Sequence, residues 1–169
     1  GSSRVLKAMN RHYDRETYLE KVNYAKSVMP DLVLTSDVIV GFPGETAEEF
    51  EETLTLISEV EYDALFTFIF SPREGTPAAS MADPTPKEEK NQRFDRPCAL
   101  QNSISEEIHR RYVGRTLEVL IDGVDGDKLT ARTEGGRLVR FEGDPSLIGT
   151  YQEVTITGST TWSLTGELA

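Results

Sequence analysis

The chain has 169 residues, enough for one large or two small domains, and 37% of them are apolar, enough for a core. Its 18 basic and 29 acidic residues leave a net charge of −11, so the overall field opposes the phosphates that a nonspecific nucleic-acid binder must attract. No apolar run reaches the roughly 18 residues of a membrane span, no secretory signal pattern is present, and the single Cys98 excludes an internal disulfide or a cysteine-rich metal site, so a cytoplasmic protein is expected.

The first segment, Arg4 to Met29, reads as helical. Asp14 is placed to cap a helix whose Tyr18, Val22, Ala25 and Met29 form one apolar stripe, and Pro30 ends it by disfavouring helical angles at the preceding residue. That stripe is most simply core, while Arg11, just before the cap, is by residue type most simply solvated, and the lone His12 beside it reads as a surface or packing residue with no assigned role.

Leu32 to Val40 is nearly continuous in apolar and β-branched residues, as in a strand of a parallel sheet covered on both faces. Gly41-Phe42-Pro43-Gly44 stops that strand. Thr46 and Glu49 then have the spacing of a capping box, followed by Phe50, Leu54 and Ile57 at helical intervals to about Val60. In open α/β sheets such a loop lies at the carboxyl edge, where ligands collect; the plain alternative is a connection that binds nothing.

Ala64 to Phe70 reads as a second buried strand parallel to the first, leaving through the irregular Ser71–Pro77 loop. Thr85 and Glu88 form a second capping-box pattern with Pro86 at the first helical position. A long helix to about Tyr112 should follow, kinked near Arg93 because Pro97 removes one hydrogen bond. Cys98 reads as a small buried hydrophobe.

From Gly114 the texture changes to short alternating strands punctuated by glycine: Leu117–Ile121, Leu129–Ala131, Leu138–Phe141, Val154–Ile156 and Trp162–Leu164. Five such strands describe a small antiparallel barrel. Neither part is basic: there are 13 basic and 20 acidic residues before Val113, and 5 and 9 from it onward.

Three ordered motifs, VLKAMNRHY, TSDVIVGFPGETAEEFEET and FTFIFSPREGTPAA, resemble the radical S-adenosylmethionine (SAM) methylthiotransferases. The tail, with GRTLEVLIDG, the ART-to-RLVRF segment and VTITGSTTWSLTGEL, resembles the TRAM domain, an RNA-binding barrel. The fold implied is α/β, the last part of a radical SAM partial TIM barrel over residues 1–112, followed by a small all-β, OB-like TRAM barrel over 113–169. GSSRVLKAMNR also continues from the segment that the family places after its fourth strand, so the chain reads as a piece of a larger enzyme.

The resemblance implies that Gly41, Phe42, Gly44 and Glu45 pack on SAM, that Ser71 and Pro72 present backbone groups to its adenine, and that Arg11 reaches its carboxylate. It implies a [4Fe-4S] cluster in the parent enzyme, bound through C-x3-C-x2-C cysteines absent here, so the fragment should hold neither cofactor by itself and be inert alone; no catalytic or metal residue is assigned within it. FTFIFSPREGTPAA and Asp37 look most like the branch that methylthiolates carbon 2 of isopentenyl-adenosine beside the tRNA anticodon. The alternatives are a noncatalytic RNA-binding module, or a methylthiotransferase of another tRNA adenosine or of a ribosomal-protein aspartate.

Around the Glu134-Gly135-Gly136 turn, Arg132, Arg137 and Arg140 are expected to present cations, and Phe141 a stacking ring, to the tRNA anticodon arm. A partial barrel should also leave an uncovered edge, through which Val38, Val40, Phe66 and Phe68 would drive self-association.

Overall fold

A computed structural model describes residues 1–169, which divide into two compact units, Gly1–Ile104 and Ser105–Ala169. The division falls inside the helix Lys87–Arg110. No helix is long and apolar enough to cross a membrane.

In the first unit the N-terminal segment is two helices, α1 (Ser3–Ala8) and α2 (Arg15–Val28). Asn10 breaks them by adopting a left-handed φ of 59°, a conformation its short polar side chain tolerates better than most. Asp14 caps α2 as expected, its carboxylate accepting from the Thr17 N–H at 2.8 Å. The stripe is shorter than the spacing implied: Val22 is buried and Tyr18 half-buried, whereas Met29 sits past the last turn and is exposed.

Strand β1 (Thr35–Val40) and strand β2 (Ala64–Ile69) pair in parallel, with Thr35 opposite Ala64 and Val40 opposite Ile69. Asp63 pins the start of this pairing: its carboxylate accepts from Leu34 N–H at 2.6 Å and its own N–H donates to Leu34 O at 2.8 Å. Between the strands runs helix α3 (Ala47–Val60), whose capping box forms in full: Thr46 N–H donates to Glu49 Oε2 at 2.9 Å, and Glu49 N–H to Thr46 Oγ1 at 3.3 Å. Ile57, Val60, Val22 and Tyr62 make the core of this unit, flanked by Leu54, Leu65 and Leu100. Tyr62 is fully buried, and its hydroxyl meets that of Tyr18 at 2.7 Å.

Only one face of the two-stranded sheet is covered. Ser36, Val38 and Val40 turn toward the helices, while Asp37, Ile39, Phe66 and Phe68 lie on the other face, where the two phenylalanines are 56% and 51% exposed. The expectation of a doubly covered strand therefore fails within this chain, and so does the set Val38, Val40, Phe66 and Phe68 as one sticky face. Period-two alternation sends Val38 and Val40 to the side opposite the phenylalanines.

Helix α4 (Lys87–Arg110) is one helix of 24 residues that continues through a buried Pro97 without interruption at Arg93. Lys90 N–H bonds to Pro86 O, so Pro86 occupies the cap and Lys87 the first helical position, one residue later than the pattern suggests.

The second unit is a closed barrel of β3 (Thr116–Asp125), β4 (Lys128–Thr133), β5 (Leu138–Phe141), β6 (Tyr151–Ser159) and β7 (Leu164–Leu168), ordered β3-β4-β5-β7-β6. Four pairings are antiparallel, and the parallel β5–β7 pair closes the ring. Closure leaves no unpaired edge, which the strand count alone did not establish. Its core comprises Val119, Ile121, Leu129, Ala131, Val139, Phe141, Val154, Ile156 and Leu164. The last strand begins at Leu164; Trp162 precedes it in a turn and does not belong to the strand.

At Gly166 a methyl group would stand 2.5 Å from Val154 Cγ1 and 2.7 Å from Thr155 O, a backbone atom that cannot step aside. Gly166→Ala should therefore destabilise the barrel by about 1–3 kcal/mol, read as a lower urea midpoint; an unchanged midpoint would mean that β6 and β7 are not paired this closely.

Candidate functional site

Two loops leave the same edge of the parallel sheet. Val40 and Ile69 are paired, and Phe70 N–H extends the ladder to Val40 O at 2.9 Å, so Gly41–Gly44 and Ser71–Pro72 emerge side by side at the carboxyl ends of β1 and β2. This is the position at which open α/β sheets bind ligands.

The two loops differ in how they are held. Gly41 takes a φ of +68°, and a side chain there would come within 2.9 Å of Lys90 on α4, so glycine serves both conformation and clearance. Phe42 is buried edge-on against Phe70 with ring centroids 5.1 Å apart, and Gly44 is exposed. Ser71 and Pro72 are exposed, followed by a turn in which Thr76 N–H donates to Arg73 O.

Glu45 departs from its expected place. It is 5% exposed and faces inward: its Oε2 accepts from Gly41 N–H at 2.8 Å and from Arg93 Nη1 at 2.9 Å. Arg93 is 6% exposed, also donates to Glu45 O at 2.9 Å and to Glu89 Oε1 at 2.5 Å, and lies over the Phe50 ring. Burial works against the charge of Arg93, but the carboxylates of Glu89 and Glu45 outweigh it and hold its pKa above the ordinary value. Glu45 is thus the peg that fixes the loop to α4, and not a group offered to a ligand. Sequence reasoning missed Arg93, because nothing near it in the chain marks an arginine for burial and its partner lies 48 positions away.

A second clamp holds the loop from α1. Arg4 forms a two-pronged ion pair with Glu49 and donates to Gly44 O at 2.6 Å. The hydrogen bond from Arg4 pulls the Glu49 carboxyl down to about 2. Arg11 lies in the exposed connection between α1 and α2; its backbone N–H is held by Leu6 O, while its guanidinium forms no hydrogen bond or ion pair.

On the barrel, the expected RNA residues part company. Arg132 and Arg140 are on the outer face of β4 and β5, each beside an aspartate: Arg132 Nε lies 3.0 Å from Asp122 Oδ2, and Arg140 Nε 3.1 Å from Asp125 Oδ2. Hydrogen bonds from the Thr130 hydroxyl and then from Arg132 hold the Asp122 carboxyl below its ordinary value. Arg137 is buried, its guanidinium 4.8 Å over the Tyr112 ring, with Arg115 over the same ring at 4.9 Å. Phe141 is 1% exposed in the barrel core and cannot stack on a base. The β4 and β5 alternation that places Arg140 outside necessarily places Phe141 inside.

Residues 110–169 match the family described as the TRAM domain, and residues 1–57 match the Radical SAM superfamily. The first part of the chain is thus similar to the Radical SAM superfamily and the last part to the TRAM domain. It is 49% identical over 170 residues to the tRNA-2-methylthio-N(6)-dimethylallyladenosine synthase of Clostridium botulinum strain Langeland, covering 99% of this chain and 38% of that protein. It is 51% identical to the protein of the same name from Geobacillus thermodenitrificans, covering 100% of this chain and 33% of the relative, and 48% identical to that from Acetivibrio thermocellus. The chain thus spans little more than a third of the length of the curated relatives it matches.

Within the first unit the buried pair of Arg93 and Glu45 is the element most exposed to a single change. Removing one partner leaves an uncompensated charge, so Arg93→Met should cost about 3–5 kcal/mol. The double variant Arg93→Met/Glu45→Gln should lose less than Arg93→Met alone in urea unfolding. A double variant as damaged as the single one would show that the pair does not hold the loop.

Proposed function

We propose that this chain is the C-terminal part of a tRNA methylthiotransferase that modifies carbon 2 of isopentenyl-adenosine next to the anticodon, with residues up to the end of α4 serving the cofactor and the barrel serving the tRNA. The observation that carries this reading is the pair of loops at one sheet edge, Gly41–Gly44 and Ser71–Pro72, joined in one chain to a TRAM barrel. Its similarity to two proteins named tRNA-2-methylthio-N(6)-dimethylallyladenosine synthase supports it.

SAM fits the residues present. Gly44, Ser71 and Pro72 are exposed where the parallel strands end, and a methyl group added at Gly44 would meet nothing within 4 Å. When bound, SAM supplies the radical and the methyl group of methylthio transfer. The chain's own contribution is positional: Ser71 and Pro72 offer backbone groups to the adenine, the Phe42–Phe70 pair backs the loop, and Arg11, free of other partners, serves the carboxylate. A [4Fe-4S] cluster does not fit these residues. Such clusters take several thiolates, Cys98 stands alone, and no group of His, Cys, Asp and Glu is arranged to hold a metal. The work of this chain in the cytoplasm is therefore to orient the cofactor and the tRNA.

A chimera tests the assignment. The N-terminal two-thirds of the Geobacillus relative, joined to this chain and expressed in cells lacking their own enzyme, should restore the 2-methylthio nucleoside in digested tRNA. A soluble chimera that produces none, while the chain still binds tRNA, would favour a noncatalytic RNA-binding module.

The uncovered face of Ile39, Phe66 and Phe68 is, on this reading, the barrel interior that further strands of the enzyme close over. The isolated chain should then associate through it at high concentration; light scattering that finds a monomer at every concentration would overturn that.

A further inference from the structure

Trp162 is 72% exposed, a large apolar surface held in the turn between β6 and β7. It packs against no other ring and no cation. The turn beneath it is rigid: the Thr160 hydroxyl accepts from Trp162 N–H at 3.2 Å and from Ser163 N–H at 3.0 Å, and Thr160 N–H donates to Ser163 O at 2.8 Å. His109 Nδ1–H fixes the same residue from below by donating to Thr160 O at 2.8 Å.

The position of the turn is as informative as its stiffness. In a five-stranded barrel of this order, the β6–β7 connection is the fourth loop, one of the two that flank the oligonucleotide face formed by the second and third strands. That face is β4 and β5, which carry Arg132 and Arg140. The parallel register Val139↔Leu164, followed two residues back along each strand, brings Arg137 and Trp162 to the same end of the barrel, with Tyr112 and Arg115.

We propose that Trp162 is a stacking platform for an unpaired RNA base. This deepens the tRNA assignment above and rests on it. Charge alone is a poor source of affinity here, because Arg132 and Arg140 are each matched by an aspartate and the chain is acidic overall. Stacking needs no net charge and accepts any base, since every base has a π-face. Because the turn already fixes the backbone at Trp162, only the side chain's own rotations are left to order on binding. The ligand is a single-stranded segment, because paired bases are stacked on one another and present no free face.

Trp162 is the sole tryptophan of the sequence, so its fluorescence reports on this position alone. Oligoadenylate RNA should quench it, and a fully paired RNA duplex should not. Trp162→Ala should weaken oligoadenylate binding roughly 5- to 150-fold, the range of one lost base stack, with Trp162→Phe between the two and the salt dependence shallow in all three. Circular dichroism and the urea midpoint of Trp162→Ala should match the parent, since the ring is not part of the core. Parental affinity in Trp162→Ala, or RNA binding without quenching, overturns the stacking role while leaving the chimera result untouched. If the parent chain binds neither oligoadenylate nor tRNA, the stacking role fails together with the RNA half of the proposed function.

Discussion

The buried ion pair between Arg93 and Glu45 is the constraint on which the loop edge of the first unit's sheet depends. A glycine loop with φ above zero has no intrinsic reason to hold one shape, and its flexibility works against ligand binding unless something fixes it. Glu45 bonds back to Gly41 N–H, closing the loop on itself, and Arg93 ties the closed loop to α4. Two charges removed from water in this way lose to desolvation much of what their attraction gains, and the pair's use is to select one geometry among several. The Arg4 and Glu49 pair acts on the far side of the same loop, so helices from both ends of the unit bear on five residues.

The barrel follows a different logic. Its stability comes from an apolar interior with no edge, and its outer face is left to carry side chains with little structural duty. Arg132 and Arg140 reflect that freedom: Arg132 pairs with Asp122 on the neighbouring β3, and Arg140 reaches past β4 to Asp125 on β3, where solvent screens both pairs. The arginine that matters to the fold is Arg137, stacked with Arg115 on Tyr112 and thereby withdrawn from the surface.

Much of this architecture was legible in the chain. Asp14, the Thr46 and Glu49 box, the Gly41–Gly44 stop and the two parallel strands act through neighbours in sequence, and local patterns report such effects well. What stayed hidden was tertiary. Whether Glu45 faces a ligand or an arginine depends on a residue 48 positions away. Phe141 and Arg140 are adjacent, and only the register of β5 decides which is core. Trp162 looked like strand because aromatic residues favour strands, yet the start of β7 is set by pairing with Val139 and not by propensity. The break at Asn10 was missed because nothing in its immediate neighbours demands a left-handed residue.

The parallel β5–β7 contact also governs the order in which the molecule can be made. β7 is the last strand of the barrel in the chain, and it pairs with both β5 and β6, so the ring has two open edges until it arrives. During synthesis from the N-terminus, β3 to β6 emerge as an incomplete sheet with unsatisfied backbone on both sides. The most vulnerable interval of the barrel's life is therefore the one just before residues 164–168 leave the ribosome. In that interval the open edges of β5 and β6 can pair with other chains.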